Sequence, residues 1–241
     1  MDSITFFNDK QVLARYRKAR SNIESPHRSI EQPVVLAYLG QLRGKSMLDL
    51  GCGDAWIGGY ALDNGLERYV GIDSSRALIA EARQNLRGRN ARLLIQNLES
   101  WKNLGAVQFD VVVSRLTLHW VRSLSGVLEL VRRHLRPGGT LVFSIEHPIL
   151  TASVKREMRD DVVTAVRLQG YFYEGTKVDE WLGVSVHKQH RSMEDYVTTL
   201  LDSGFRLTAF SEGSPQRIEH LRNRELRMHV PLCAIFRCVR E

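Results

Sequence analysis

Between residues 45 and 146, short and almost wholly apolar runs alternate with stretches whose apolar residues recur every three or four positions. The runs at 45–50, 69–73, 91–95, 109–114 and 140–145 have strand length. The stretch at 56–64 has the helical period, as do those carrying Leu78, Ile79, Ala82 and Leu86, then Leu124, Val127, Leu128, Val131 and Leu135. Gly65 can close the first of these helices, Ser74 or Ser75 can cap the start of the second, and RPGG at 136–139 turns the chain into the fifth strand. Strands without a polar face must be covered on both sides. This calls for an α/β fold with a mostly parallel sheet between two helical layers.

Residues 8–20 and about 30–42 read as helices, so that 1–44 form an N-terminal helical lid on a main domain spanning 45–241. The alternation breaks after His147. Residues 148–190 are polar and aromatic with weak periodicity, and read as a cap insertion. Ser192-Met-Glu-Asp195 fits a capping box for a helix carrying Tyr196, Leu200 and Leu201 and ending before Gly204. Residues 205–210 and 232–239 read as the last two strands, split by a basic helical segment. There is no internal repeat.

The 241 residues are 43% hydrophobic and 25% charged, enough apolar mass for one sizeable core. No apolar run approaches the ~20 residues that span a bilayer. The first 22 residues lack the basic, apolar and cleavage regions of a secretory signal. The expectation is a soluble cytoplasmic protein. Three cysteines argue against a disulfide framework or a structural zinc site. Cys233 and Cys238, five apart on a strand, face opposite sides. The formal charge of +7 concentrates near the ends, at Arg15, Arg17, Lys18 and Arg20 and at Arg217, Arg222, Arg224 and Arg227. Solvated helix faces are the first reading, an anionic substrate or nucleic acid the second. No basic strand interleaved with aromatics appears, which disfavours nucleic acid.

The chemistry concentrates in LDLGCGDAWIG at 48–58. In an open parallel sheet the first βα loop is the usual ligand cradle. A dinucleotide fingerprint needs a third glycine where Trp56 stands. Asp49 and Asp54 flank the loop, so a diphosphate would meet two carboxylates. S-adenosylmethionine carries an ammonium, a sulfonium and one carboxylate, and resolves the conflict. Gly51, Cys52 and Gly53 let its aminoacyl chain lie against bare backbone, and Asp49 favours the ammonium. Asp73 ends the second strand, where its carboxylate can accept from a ribose diol, with Ser74 beside it.

LDLGCGDA, VGID, IQNLES, FDVVVSRLTLHW and LRPGGTLVFS, in this order over about residues 45–146, resemble the class I S-adenosylmethionine-dependent methyltransferases, and among them the type 11 small-molecule group. The resemblance implies a Rossmann-like sheet of seven strands with the last antiparallel, S-adenosyl-L-methionine as cofactor and S-adenosyl-L-homocysteine as product. It puts Asn97, Leu98 and Glu99 at the adenine, although the family more often has Asp at position 97. It puts Ser114 beside the methionine portion. Arg115 departs from the small or polar residues expected there and is read as pointing away. Tyr16 and Arg20 share one helix face. In related enzymes such a helix closes over the cofactor, and Arg20 is expected to pair with its carboxylate.

Methyl transfer from a sulfonium is an in-line displacement with a good leaving group, so the protein mainly aligns the reactants and excludes water. A general base is needed only where the acceptor must lose a proton. His119 and His147, after the fourth and fifth strands, are the candidate bases; packing and turn roles are the competing readings. The cap supplies Tyr171, Phe172, Tyr173, Trp181, His187, His190 and Arg191, of which Tyr171, Trp181 and His190 are taken as acceptor contacts. GYFYEGTKVDEWLG and HKQHRSMEDY resemble caps of bacterial methyltransferases that decorate natural products. The expectation is methyl transfer to an N, O or C atom of an aromatic or anionic small molecule in secondary metabolism, with no metal. A dimer is compatible with it. The alternatives are an RNA or protein methyltransferase, or a non-catalytic regulatory protein that binds the cofactor. SRLT after the fourth strand lacks the Asn/Asp-Pro-Pro-aromatic signature of adenine-N6 enzymes, and no Pro-Cys nucleophile occurs.

Overall fold

The computed structural model describes residues 3–22, 25–102, 104–215 and 223–241. The helix expected at 8–20 forms at 10–21 with a separate short helix before it, and the one expected at about 30–42 is built in two pieces. α1 (Ser3–Asn8) meets α2 (Lys10–Ser21) at Asp9, whose carboxylate accepts the N–H of Gln11 and of Val12 at 2.9 Å. A π-helical turn at His27–Glu31 runs directly into α3 (Gln32–Leu39).

The core then follows as β1 (Ser46–Leu50), α4 (Trp56–Asp63), β2 (Arg68–Asp73), α5 (Arg76–Asn85), β3 (Ala91–Ile95) and β4 (Phe109–Arg115). After a 3-10 turn at Leu118–Trp120 come α6 (Leu124–His134), β5 (Leu135–Glu146) and α7 (Pro148–Thr151). Two hairpins follow, β6 (Ser153–Arg159) with β7 (Val162–Leu168) and β8 (Gly175–Trp181) with β9 (Val184–His190). The chain ends with α8 (Met193–Asp202), β10 (Phe205–Ser211), α9 (Arg224–Arg227) and β11 (Cys233–Arg240).

Seven strands form one sheet in the order β10-β11-β5-β4-β1-β2-β3. β1 to β5 are mutually parallel, and β11 runs antiparallel between β5 and β10, as expected. Strand order reverses between β1 and β4, which opens the crevice where such sheets bind ligands. All five residues of β1 are buried. Leu48 and Leu50 pack on the face covered by α6 and α8, Met47 on the face covered by α3, α4 and α5. Cys233 and Cys238 fall in opposite layers.

Two expectations need correction. RPGG does not precede the fifth strand but lies inside it. The β4–β5 ladder steps from Phe109↔Leu135 to Val111↔Thr140, so three extra residues are accommodated there, with Gly138 at φ 74°. The cap is regular structure rather than weakly patterned chain. Asp160 and Asp161 (φ 49° and 61°) and Leu182 and Gly183 (φ 50° and 76°) make two-residue loops of the type that matches hairpin twist. Of the basic segment before the last strand, α9 is present, while Arg217 and Arg222 lie outside the described residues. Among the described residues, no helix is long and apolar enough to cross a membrane.

Candidate active site

A cavity of about 740 Å³ opens over the carboxyl ends of β1, β2, β4 and β5. Its floor is the loop after β1. Gly51 and Cys52 donate their N–H groups to the Ile72 carbonyl at 2.8 and 3.0 Å, folding the loop against β2. Gly51 stands at φ 75°, and a Cβ there would lie 2.2 Å from Thr117 Oγ1. Gly53 stands at φ 57° and lines the cavity, and a Cβ there would enter open space. The two glycines therefore do different things: Gly51 lets two loops touch, and Gly53 leaves room for a ligand.

Asp73 pins this loop. Its Oδ2 accepts the Gly53 N–H at 2.9 Å and its Oδ1 the Ser75 N–H at 2.8 Å, and the Ser74 backbone adds to this donor set. Burial raises the Asp73 carboxyl above the ordinary range, against the backbone donors that lower it. Asp49 is 2% exposed and, among the described residues, accepts only the Tyr69 hydroxyl, at 2.7 Å; burial pushes its carboxyl up to about 7. A cation placed against Asp49 would restore the charge that burial suppresses. Ser75 caps α5, and its hydroxyl also donates to the Phe7 carbonyl at 2.6 Å, joining the Asp73 turn to the N-terminal segment.

That segment lines the cavity with Phe7, Tyr16, Arg20 and His27. Arg20 donates to the Tyr16 hydroxyl at 2.6 Å. Arg115 lines the cavity too, which corrects the expectation that it points away. Its guanidinium forks onto Glu31 (Nη2 to Oε2 2.5 Å, Nε to Oε1 3.2 Å) and covers the Trp56 ring at 5.5 Å. Burial acts to raise the Glu31 carboxyl, but Arg115 and His27 outweigh it and hold it well below the ordinary range. His27, pushed down to about 4 by burial, is neutral at physiological pH. Asn97, Leu98 and Glu99 lie along the cavity beyond β3, and the Asn97 side-chain oxygen accepts the Glu99 N–H at 3.0 Å. Three carboxylates, Asp49, Asp54 and Asp73, face Arg20 and Arg115 across this half of the cavity. That set fits a nucleoside carrying an ammonium, a sulfonium and a single carboxylate, and repels a diphosphate.

The other half is walled by His119, Trp120, Glu146, Arg156, Trp181 and Lys188. His119 is buried, and its Nδ1 accepts the Glu146 N–H at 3.2 Å. Burial, then Lys188 and Arg191, push its pKa well below the ordinary value. The ring is therefore neutral with its proton on Nε2. Lys188 pairs with Glu146 at 2.5 Å and with Asp179 at 2.8 Å, and Arg156 pairs with Asp179 at 2.7 Å.

A family profile described as a methyltransferase domain matches residues 48–143. The structure is similar to that of an S-adenosylmethionine-dependent methyltransferase from Mesorhizobium loti, with a TM-score of 0.78 and 29% identity over 87% of this chain and 97% of that one. The chain carries a class I S-adenosylmethionine-dependent methyltransferase domain. Among curated relatives, it is 34% identical to the malonyl-[acyl-carrier protein] O-methyltransferase of Enterobacter lignolyticus over 56% of this chain. It is 28% identical to the tRNA U34 carboxymethyltransferase of Actinobacillus succinogenes over 69% of this chain. These matches span about half of each relative, 54% and 52%.

Of the residues singled out from the sequence of this methyltransferase, Tyr16, Arg20, Asp49, Gly51, Cys52, Gly53, Asp73, Ser74, Asn97, Leu98, His119 and Trp181 all line the cavity. Four do not. Ser114 is buried and its hydroxyl donates to the Leu50 carbonyl at 2.9 Å, so it braces β4 against β1 instead of meeting a ligand. His147 caps α7, accepting the Ile149 N–H at 3.2 Å, and its other nitrogen pairs with Glu212 at 2.9 Å. Tyr171 and His190 bind each other and the cap: His190 Nε2 meets the Tyr171 carbonyl at 2.7 Å and Nδ1 meets Thr151 Oγ1 at 2.7 Å, while Tyr171 Oη accepts the Met193 N–H at 3.1 Å. His119 reaches the cavity, with the lone pair that the expected base role would need held by the Glu146 N–H. The Lys188–Glu146–Arg156–Asp179 cluster and the Arg115–Glu31 pair carry no local sequence signal. Each pairs residues that only the tertiary fold brings together.

Proposed function

We propose that this methyltransferase acts on a free small molecule, taking its methyl group to an N, O or C atom of the acceptor. The observation that carries the proposal is the second half of the cavity. It continues past the glycine loop into a chamber walled by Trp120, Trp181, His119 and Lys188, between the N-terminal helices and the β8–β9 hairpin. These two elements meet: Phe6 stacks on Trp181 at 4.8 Å and 7°, and Arg15 donates to the Leu182 carbonyl at 2.8 Å. A chamber so bounded suits a compact acceptor. We read residues 1–44 as a lid over it, the cytoplasm as its setting, and secondary metabolism as its context, the last on the likeness of the stretches at 170–183 and 187–196.

S-adenosylmethionine supplies a methyl group on a positively charged sulfur, whose departure needs no acid. The protein's part is placement. Gly53 admits the aminoacyl chain, Asp49 holds the ammonium, Asp73 and Ser74 take the ribose hydroxyls, and Asn97 with Leu98 flank the adenine. Arg20, oriented by Tyr16, meets the carboxylate. Trp120 and Trp181 exclude water from the line of transfer.

The test is transfer of label from methyl-tritiated cofactor into a bacterial extract, followed by separation of low-mass metabolites, RNA and protein. Label in the low-mass fraction is expected. Label in RNA, lost on ribonuclease treatment, would replace this reading with the one favoured by the +7 charge. Cofactor binding with no transfer to any fraction would favour a regulatory protein.

A further inference from the structure

We propose that the acceptor group is a carboxylate, seated against Lys188, Arg156 and His119 and methylated on oxygen; this rests on the small-molecule reading above. Lys188 is 4% exposed, and its ammonium gives two hydrogens to Glu146 and Asp179, at 2.5 and 2.8 Å, keeping a third. Arg156 uses Nε on Ser153 at 3.2 Å and Nη2 on Asp179 at 2.7 Å and the Leu150 carbonyl at 3.1 Å. Its Nη1 has no partner among the described residues. His119 Nε2–H is likewise uncommitted. Three donors on this wall therefore lack acceptors, and two of them belong to cations.

The acceptors nearest these donors are engaged. Each Glu146 oxygen faces a cation, Oε2 that of Lys188 and Oε1 that of Arg156 at 3.5 Å, and His119 Nδ1 is held by the Glu146 N–H. A wall with donors in excess matches a group that has lone pairs and no hydrogens, which is what a carboxylate is. Glu146 and Asp179 offset the two cations, so the acceptor does not face an uncompensated charge when it leaves as a neutral ester.

The same inventory favours an acceptor that needs no base. A phenol or carbon acid would have to lose a proton near the transition state, and the lone pair that His119 could offer for it is already held by the Glu146 N–H. A carboxylate is already ionised. Its oxygen supplies the electron pair of the new carbon–oxygen bond, the methyl–sulfur bond breaks with its pair left on sulfur, and no proton moves. Sulfonium and carboxylate charges cancel, so the products are a neutral thioether and a neutral ester.

The experiment gives the wild-type enzyme methyl-tritiated cofactor with a panel of carboxylic acids and their matched amides, phenols and amines. The expected result is label in acids alone, released as volatile methanol by mild alkali. Arg156→Gln should raise KM for the acid about tenfold while the affinity for S-adenosylhomocysteine stays within about twofold, and Arg156→Lys should recover part of the loss. Alkali-stable label, equal use of the amides, or an unchanged KM in Arg156→Gln would each overturn the carboxylate seat. Should Arg156→Gln fail to fold, the acid-against-amide comparison decides alone. Alkali-labile label found only on a carrier protein would keep the carboxylate seat and sink the free-metabolite reading. Label in no carboxylic acid, free or carried, would sink the carboxylate itself.

Discussion

The Glu146 N–H donates to His119 Nδ1 at 3.2 Å, and this single bond fixes which ring nitrogen carries the proton. With Nδ1 accepting from backbone, Nε2 must be the donor, and burial keeps the ring from taking a second proton. His119→Gln preserves a side-chain N–H donor, whereas His119→Ala removes it. Turnover should fall roughly 10- to 100-fold in the alanine variant, the effect of losing a hydrogen bond to a charged group, and markedly less in the glutamine variant. The kcat profile between about pH 6 and 9 should show no ascending limb that disappears in His119→Gln. A limb that does disappear would make His119 the base after all.

Asp49 gives a pH dependence of definite sign. Burial raises its carboxyl to about 7 in the folded protein, against ~3.9 in an unfolded chain. Between these values the folded state holds a proton that the unfolded state has released, so stability falls as pH rises from about 4 to 7. Urea unfolding should therefore show this component in the wild type and lose it in Asp49→Asn, which can still accept from Tyr69. If an ammonium binds beside Asp49, the carboxyl must ionise as the cofactor arrives. Calorimetry near pH 6 in buffers of different ionisation enthalpy should then report release of up to about one proton. A steady proton count of zero would remove Asp49 from the cofactor's ammonium.

Gly51 and Gly53 separate fold from function by substitution. In Gly51→Ala the new Cβ would meet three Thr117 atoms at 2.2 to 2.8 Å at a left-handed φ, so protein stability itself should drop, by about 2–4 kcal/mol. In Gly53→Ala only the left-handed φ of 57° is penalised, at roughly 1–2 kcal/mol, because the Cβ meets nothing in the protein. Its methyl would instead occupy cavity space. Cofactor Kd should rise at least about tenfold in Gly53→Ala at modest thermal cost. Equal Kd in wild type and Gly53→Ala would mean that the aminoacyl chain does not cross this glycine.

What the sequence made legible was local. β1, β2, β4 and β5 stood out because strands buried on both faces are continuous apolar runs, β3 by its short run ARLLI although it is an edge strand with no buried residue, and Asp49, Gly51, Gly53 and Asp73 stood out because they sit at fixed offsets from strand ends. The β6–β7 and β8–β9 hairpins did not, because most of their side chains remain accessible, with only Val162, Val186, Lys188 and His190 buried. Their two loops carried the available clue, in the pairs Asp160–Asp161 and Leu182–Gly183, but neither is the Asn-Gly or Asp-Gly signal that marks such turns. The misplaced histidines have a common cause. His147 and His190 are histidines near strand ends, as His119 is, and only the tertiary partners distinguish a helix cap or a cap-to-core hydrogen bond from a cavity wall. Arg115 was misread for a similar reason, since its partner Glu31 lies 84 residues earlier.

The N-terminal segment is tied to the rest of the chamber by aromatic packing. Phe6 is fully buried, stacks on Trp181 at 4.8 Å and lies 4.9 Å from Phe7, while Trp120 stands 6.0 Å from Trp181. Within residues 1–44, α3 belongs to the sheet's cover, with Val35 and Leu39 in its core; if α1 and α2 act as a lid, its closed form is held chiefly by this cluster and by the Ser75–Phe7 hydrogen bond, while the sheet stands on its own core. Phe6→Ala should therefore shift the open–closed balance by about 3 kcal/mol without a comparable loss of global stability. The expected signs are faster proteolysis near residues 9–25, a cofactor Kd raised through the smaller closed fraction, and protection restored by saturating S-adenosylhomocysteine. A fall in global stability equal to the whole substitution cost, with no selective cleavage, would instead make the segment an integral part of the core.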